Sequence, residues 1–405
     1  MESTMNVKLD EPEPSGKIVD FSNTQIAFSF KTDSELKRTV FLFKMMNSPF
    51  LVKVFSFLAL WAIKLRLPFT EYLIKQTIFK QFVGGDTLLQ CQKTIDLLYD
   101  FDTLTILDYG AEGKSDEDDL DQVMFENMRA IEMAASNNSV PVISTKITGL
   151  VRNEILEKKH AGIVLNQHET ELFEHLIERV DRICSKAAEH GVGVFIDAEE
   201  SWIQDPIDEI TMDMMEKYNN EKVIVYNTYQ MYQKAKLDQL KRDHTYAKTN
   251  GFMLGAKLVR GAYMEKENKR AQQMGYPSPI HETKQNTDDH YDEGIQYCLE
   301  HYEEISLCNA SHNLLSNLKM ARYIVENELD KSHSHLNFCQ LYGMSDNITF
   351  NLAHEGFTVA KYVPYGPVKE VIPYLIRRAQ ENSSVTGETS RELTLLHKEM
   401  ERRKI

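Results

Sequence analysis

Residues 358–391 read TVAKYVPYGPVKEVIPYLIRRAQENSSVTGETSR. Thr358 to Val363 is β-branched and aromatic, the composition of a strand. Pro364, Gly366 and Pro367 break it. Val368, Val371, Ile372, Leu375 and Ile376 then recur at helical spacing, with Pro373 in the first turns. A strand running directly into a helix is the unit whose repetition decides the fold. The helix carries Arg377, Arg378 and Glu381 and stops near Asn382-Ser383-Ser384. Glu381 follows the arginines by three and four residues, so one face holds a cationic pair oriented by a carboxylate. Two guanidiniums offer fork-shaped donors that match a carboxylate or a phosphate. Taken alone, the same residues also suit a solvated surface turn.

Working back from this unit, seven more β-rich runs precede it: Leu104–Tyr109, Val142–Ile147, Gly193–Asp197, Val223–Tyr226, Met253–Val259, Ile305–Ser311 and Leu336–Leu341. Helical stretches lie between most of them. Glu169–Glu189 carries Leu172, Leu176, Val180 and Ile183 on one stripe and ends at Gly191. Eight strand–helix alternations predict an α/β fold, a parallel sheet closed as a (β/α)₈ barrel, with an open doubly wound sheet as the alternative.

Polar residues gather where these strands end: Lys146, Asp197-Ala198-Glu199, Asn227, Gln230, Lys257, Arg260, Ser311-His312-Asn313 and Tyr362. In a barrel those ends form the active-site face. Singly, each is explained as a strand-end charge or a structural histidine. Together they predict a pocket in which Lys146, Arg377 and Arg378 face an acid and Asp197 orients the cations.

The 405-residue chain has room for a large domain and an appendage. Its net charge of −15 argues against a nucleic-acid binder, which needs a basic surface. Five cysteines without a CxxC pair suggest neither a disulfide framework nor a zinc knuckle, and so a reducing, cytoplasmic compartment. The acidic, polar first residues are unlike a signal peptide, and residues 1 to about 20 are expected to be disordered. Residues 34 to about 100 read as a helical arm divided by Pro49, Pro68 and Gly84-Gly85. The expected organisation is a tail and arm over 1–100, a barrel over 101–395 and a C-terminal tail over 396–405. Within the arm, the apolar run from Val54 to Ile63 is too short to span a bilayer. Flanked by Lys53, Lys64 and Arg66, residues 50–67 are suited either to peripheral contact with a membrane or to packing on the barrel.

The common cofactor motifs are missing. Gly191-Val192-Gly193 lacks the third glycine and precedes a strand, unlike a Rossmann fingerprint. Glu112-Gly113-Lys114-Ser115 ends like a P-loop, but Asp108 stands where the first glycine belongs. His333 and His335 have no second cluster to complete a metal site, and no GxSxG elbow is present.

From about Asp102 onward the chain resembles the proline dehydrogenase family in its compact, single-function form. The resemblance rests on TKITGL around Lys146, FIDAEES around Asp197, KLVRGAYMEKENKRAQ from Lys257, SHN at His312, LYGM from Leu341, and YVPYG followed by YLIRRAQEN. It implies a distorted (β/α)₈ barrel that holds FAD without a Rossmann domain. Helices precede the barrel, and a last helix caps the pocket.

It also implies roles. Arg377, Arg378 and Lys146 would bind the proline carboxylate, with Asp197 orienting them. Tyr362 would pack on the ring carbon opposite the amine, Leu341 would give apolar contact and Tyr263 would line the pocket. A hydride equivalent would leave Cδ for flavin N5, giving Δ1-pyrroline-5-carboxylate, with electrons passed to a membrane quinone. FAD would meet Asn227, Lys257, Val259, Gly261, Ala262, Lys284, His312 and Glu381. Asn227 stands where the family usually has glutamine, Lys257 where it has arginine, and Met264 where a tryptophan often covers the adenine side. Glu112 lies near the place of the family's first-strand carboxylate.

Three other readings have distinguishing features. 4-Hydroxyproline dehydrogenation needs a small residue where Tyr362 stands. A silent flavoprotein sensor needs a broken site, and a folate-reducing flavin barrel needs a nicotinamide donor. The expected location is cytoplasmic, at the inner face of a membrane.

Overall fold

Eight parallel strands close in chain order into a barrel in the computed structural model, which describes residues 18–65, 67–110, 114–384 and 388–405 apart from the side chains of 381–390. They are β1 (Leu104–Tyr109), β2 (Val142–Thr145), β3 (Gly193–Ile196), β4 (Val225–Gln230), β5 (Leu254–Val259), β6 (Ile305–Ala310), β7 (Leu336–Leu341) and β8 (Val359–Tyr365). β8 closes on β1 in a register that runs from Leu104 opposite Ala360 to Tyr109 opposite Tyr365. The open-sheet alternative is thereby excluded.

Side-chain alternation along each strand divides the interior in two. Outward residues such as Ile143, Val194, Ile196, Leu258, Leu307 and Phe338 meet the surrounding helices in the main apolar core. Inward residues fill the barrel: Ile106, Phe195, Tyr226, Cys308, Cys339, Ala360 and Tyr362. Gly255 makes room for Tyr226, since a Cβ there would lie 2.8 Å from the tyrosine ring and 2.3 Å from the Val225 carbonyl oxygen. The helix Gln167–His190 shows how an outer element is specified. Asn166 and Glu169 form a capping box, the predicted apolar stripe is buried, and Gly191 ends the helix at φ 66°.

β4 differs from the sequence expectation in a way that matters for the site. It continues to Gln230 instead of ending at Tyr226. The alternation therefore turns Tyr226, Thr228 and Gln230 inward and Asn227 and Tyr229 outward.

The arm begins with helices Asp33–Met46 and Pro49–Lys64, which meet at 98°. Ser48 caps the second and Pro49 occupies its first turn. The expected boundaries need three corrections. Residues 1–17 lie outside the described residues, but Val19 and Phe21 are buried in the main core. Helix Leu88–Tyr99 belongs with the barrel, because Cys91 and Ile95 enter the same core. Residues 396–405 are not a tail. Helix Glu388–Arg403 packs Leu396 against Phe28, Leu36 and Phe43, and Arg403 donates to the Phe28 and Lys31 carbonyls. An apolar stripe completed only by the distant arm is hard to read locally. All five cysteines are buried and free.

Candidate active site

At the C-terminal ends of the strands, inward-facing polar side chains from β1, β2, β3, β5 and β8 converge. Lys146 follows β2 in extended backbone and Asp197 follows β3 with its N–H still donated to the Thr145 carbonyl at 3.0 Å, so each projects over the barrel mouth. Lys146 Nζ lies 3.1 Å from Asp108 Oδ1 and 2.9 Å from Asp197 Oδ2. Asp197 also pairs with Lys257 and accepts from Ser144 Oγ at 2.9 Å. Tyr362 donates its hydroxyl to Asp197 Oδ2 at 2.6 Å. Asp197 is thus the hub of the cluster.

The carboxylates differ electrostatically. Burial by itself would raise the pKa of Asp197, but Lys146 and Lys257 outweigh it and hold the group well below the usual range, so it stays ionised. Burial pushes Asp108 up, and one lysine does not offset it while Asp197 adds to it. Burial, Asp108 and Asp197 push the Tyr362 phenol far up, so it remains a donor.

Above this cluster is a cavity of about 270 Å³. Helix Val368–Ser384, the cap helix, contributes Tyr374, Arg377 and Arg378 to its lining. Leu341 and Tyr263 complete the predicted substrate set. The Arg378 guanidinium lies 5.3 Å from the centre of the Tyr374 ring. Lys146, Lys257, Arg377 and Arg378 outnumber Asp108 and Asp197, so the cavity favours an anion. Val259, Gly261, Ala262 and His312 line its other side. At φ 137°, Gly261 brings the chain so close to Tyr232 that a Cβ would lie 2.5 Å from the ring. His312 shares a hydrogen bond with Ser345 at 2.9 Å, and burial with neighbouring Lys361 and Arg378 lowers its pKa to about 3. It is neutral at pH 7.

Some expected residues are elsewhere. Asn227 does not face the cavity: its amide donates to Asp208 at 3.0 Å on the outer side of β4. Thr228 and Gln230 line the cavity from this strand instead. Lys284 is largely exposed and pairs with Asp288, which in turn holds Arg260 at 2.6 Å, so it stands behind the rim. The Glu381 side chain and Glu112 lie outside what the structure describes. The carboxylate supplied by the first strand is Asp108, which the sequence reading passed over as part of a failed P-loop. Its parity with Ile106 was the available signal. Tyr374 was also missed, although it stands three and four residues before the arginines on the same helical face.

Away from the cavity, near the N-terminal end of β6, His244, His301 and Glu304 bring possible ligand atoms within 4.8 Å of one another. Here they form a polar network in which His244 bonds Tyr297 and Glu304, each at 2.8 Å, and Lys248 pairs with Glu304.

A family profile described as proline dehydrogenase matches residues 91–391. The chain belongs to the proline dehydrogenase family. It is 32% identical over 377 residues to mitochondrial proline dehydrogenase 1 of Dictyostelium discoideum, covering 82% of this chain and 66% of that one. It is 31% identical over 415 residues to hydroxyproline dehydrogenase of Xenopus laevis, covering 93% and 88%. Among solved structures, proline utilization A from Bdellovibrio bacteriovorus shares the fold at a TM-score of 0.70 and 21% identity, over 91% of this chain and 37% of that one. Proline dehydrogenases are flavoenzymes. Within this family frame the barrel rim and the cap helix form one site, although the profile begins only at residue 91 and omits most of the arm.

Proposed function

We propose that the chain binds FAD and oxidises L-proline to Δ1-pyrroline-5-carboxylate, passing the electrons to a quinone in a membrane. The observation that carries this reading is the placement of Lys146, Arg377 and Arg378 around one small cavity whose floor is the Asp197–Tyr362 pair. A small amino acid presents a carboxylate to that set and a compact apolar ring to Leu341, Tyr263, Tyr374 and Tyr362.

The residues divide the work. Lys146, Arg377 and Arg378 bind the substrate carboxylate through charge-assisted hydrogen bonds. Asp197 holds Lys146 in place from below. The aromatic rings and Leu341 exclude water from the substrate ring and fix its orientation, which supplies much of the rate. A substrate amine that arrives neutral needs no strong protein base. Asp108, with its raised pKa, stands close enough to Lys146 to balance charge as the anion binds.

The lining residues fit a flavin. Val259, Ala262, Ala310 and Cys339 are small enough to leave a broad wall for a flat ring, and Lys257, Gln230 and His312 bring polar groups to it. By the family resemblance, Gly261, Lys284 and Glu381 would serve the rest of FAD. Once bound, FAD supplies the two-electron acceptor. The proposal includes peripheral contact with the inner face of a membrane through residues 50–67, in a cytoplasmic setting.

A second reading, oxidation of 4-hydroxyproline, is favoured by the relative from Xenopus laevis. Tyr362 weighs against it, because by the family resemblance its ring, held by the bond to Asp197, would pack on the carbon that would bear the hydroxyl. Adding L-proline without oxygen to the purified flavoprotein separates these readings. Flavin absorbance near ~450 nm should bleach with L-proline and hardly at all with trans-4-hydroxy-L-proline. The reverse order would establish the second reading. Bound flavin that neither compound bleaches would make the chain a silent flavoprotein and overturn the roles of Arg377 and Arg378.

A further inference from the structure

The arm helix Pro49–Lys64 has two unlike faces. Val52, Ala59 and Ile63 pack in one apolar cluster with Val368, Val371, Ile372 and Leu375 of the cap helix, and Leu341 of the cavity wall joins the same cluster. The other face is bare. Phe50, Phe57 and Trp61 are 73%, 59% and 54% exposed, and Phe69 and Leu73 extend the patch at 78% and 61%. A contiguous apolar surface of this kind marks a docking site.

Charge identifies the occupant. Between Leu36 and Lys80 the chain carries eight basic residues, among them Lys53, Lys64 and Lys75, against the single acid Glu71. This segment is therefore at +7 within a chain of −15. Two copies meeting through it would set like charge against like. An aromatic, lysine-bordered face instead suits an anionic bilayer, with the rings at the headgroup boundary and the lysines among the headgroups. No single described helix is long and apolar enough to cross a membrane; Asp33–Met46 and Pro49–Lys64 reach that length and apolarity only together, bent by 98°, and the second packs one face on the cap helix, which suits a face lying along the surface.

The same arm carries the cap helix, whose packing neighbours include helices Asp33–Met46, Pro49–Lys64 and Glu388–Arg403 and the turn Lys75–Phe79. A hollow of about 420 Å³ joins the two, lined by Ile63, Leu67, Phe69, Glu71 and Tyr72 of the arm and by Lys369 in the first turn of the cap helix. A lipid headgroup at that point meets the arm and the cap helix at once.

We infer that docking of the Pro49–Lys64 face on an anionic bilayer holds the cap helix over the cavity and so tightens the binding of substrate by Arg377 and Arg378. The bilayer acts as a positive effector of the substrate site as well as an anchor. This inference rests on the dehydrogenase reading for what the site binds. It goes beyond it in making lipid a regulator.

The test uses the full-length holoprotein, vesicles of phosphatidylcholine with or without phosphatidylglycerol, and a water-soluble dye as acceptor. The protein should sediment with the anionic vesicles only, and its KM for L-proline should fall by about fivefold, the low end of coupling between two sites. Amide exchange over 368–384 should slow in parallel. Phe57→Ser with Trp61→Ser should abolish sedimentation and the KM response while leaving lipid-free turnover unchanged. Sedimentation with neither KM nor exchange altered would overturn the coupling and leave the membrane contact standing. Equal sedimentation with neutral vesicles, or a concentration-dependent dimer lost in the double variant, would overturn the anionic-bilayer assignment. Failure of the dehydrogenase reading would show separately, as no bleaching by proline with sedimentation and exchange still responding to lipid.

Discussion

Tyr362, midway along the barrel's last strand, donates its hydroxyl to Asp197, just beyond the third, at 2.6 Å. The bond pins a ring that is 8% exposed, so it cannot swing aside for a larger substrate. On the proposed reading, specificity and charge positioning depend on the same contact.

Tyr362→Ser removes the ring from the cavity. The ratio of kcat/KM for trans-4-hydroxy-L-proline to that for L-proline should rise by about tenfold or more, the effect of adding or removing one group in a fitted pocket. Tyr362→Phe keeps the ring and should leave the ratio low. Equal ratios in the two variants would show that the ring is not the gate.

Arg377→Met, Arg378→Met and Lys146→Met each remove one cation from the cavity lining, on the proposed reading a donor to the substrate carboxylate. Each should raise KM for L-proline by roughly thirtyfold or more, in keeping with loss of a partner from a buried charge pair. The visible spectrum of bound flavin should persist. Loss of flavin instead of substrate affinity would mean that these cations serve the cofactor.

Asp197→Asn takes away the carboxylate that Lys146 and Lys257 share in a region where all three side chains are at most 12% exposed. Removing one member of such a buried cluster destabilises by about 3–5 kcal/mol. Asp108→Asn should destabilise less, since Asp108 pairs with Lys146 alone among the described residues. Urea unfolding midpoints of the two variants give the comparison.

Burial and neighbouring Asp346 raise the Glu392 pKa from an ordinary 4.5 to about 8. Between those values the folded protein holds a proton that the unfolded chain has released. This group therefore makes stability fall as pH rises from 4.5 to about 8. Glu392→Gln keeps an acceptor for the Ser345 N–H and should flatten that decline, read as unfolding midpoints across the window.

Gly343 joins the barrel to the arm. Its carbonyl accepts from Gln81 at 2.8 Å, its φ is 78°, and a Cβ would lie 2.0 Å from the Gln81 carbonyl oxygen. Gly343→Ala should destabilise by about 1–3 kcal/mol and open the chain near residues 75–85 to protease. An unaltered digestion pattern would show that the arm docks independently of this contact.

Much of the architecture follows from local pattern. β1 and β7 have the expected limits because β-branched and aromatic runs bounded by breakers are read the same way in any context. The stripe on Gln167–His190 was likewise visible, since burial of one helical face repeats every turn. Asn227 shows where such reading stops. Ending β4 at Tyr226 leaves Asn227 on the rim, whereas the strand runs four residues further and alternation with inward Tyr226 turns Asn227 outward. Asp108 was missed for a related reason. Its role depends on Lys146 and Asp197 arriving from other strands, and nothing beside it in the chain marks that.

The sequence by itself determined the strand–helix repeat, the family, and the rim and helix residues that supply the cations, because these depend on periodicity and on residue types at short spacing. Only the tertiary structure decided that Asp197 gathers Lys146, Lys257 and Tyr362, that Gln230 and not Asn227 faces the cavity, and that the arm carries the cap helix between the site and a bare apolar face. Those relations join residues tens to hundreds of positions apart. Barrel closure and burial set their geometry and energy, and neither acts through neighbours in the chain.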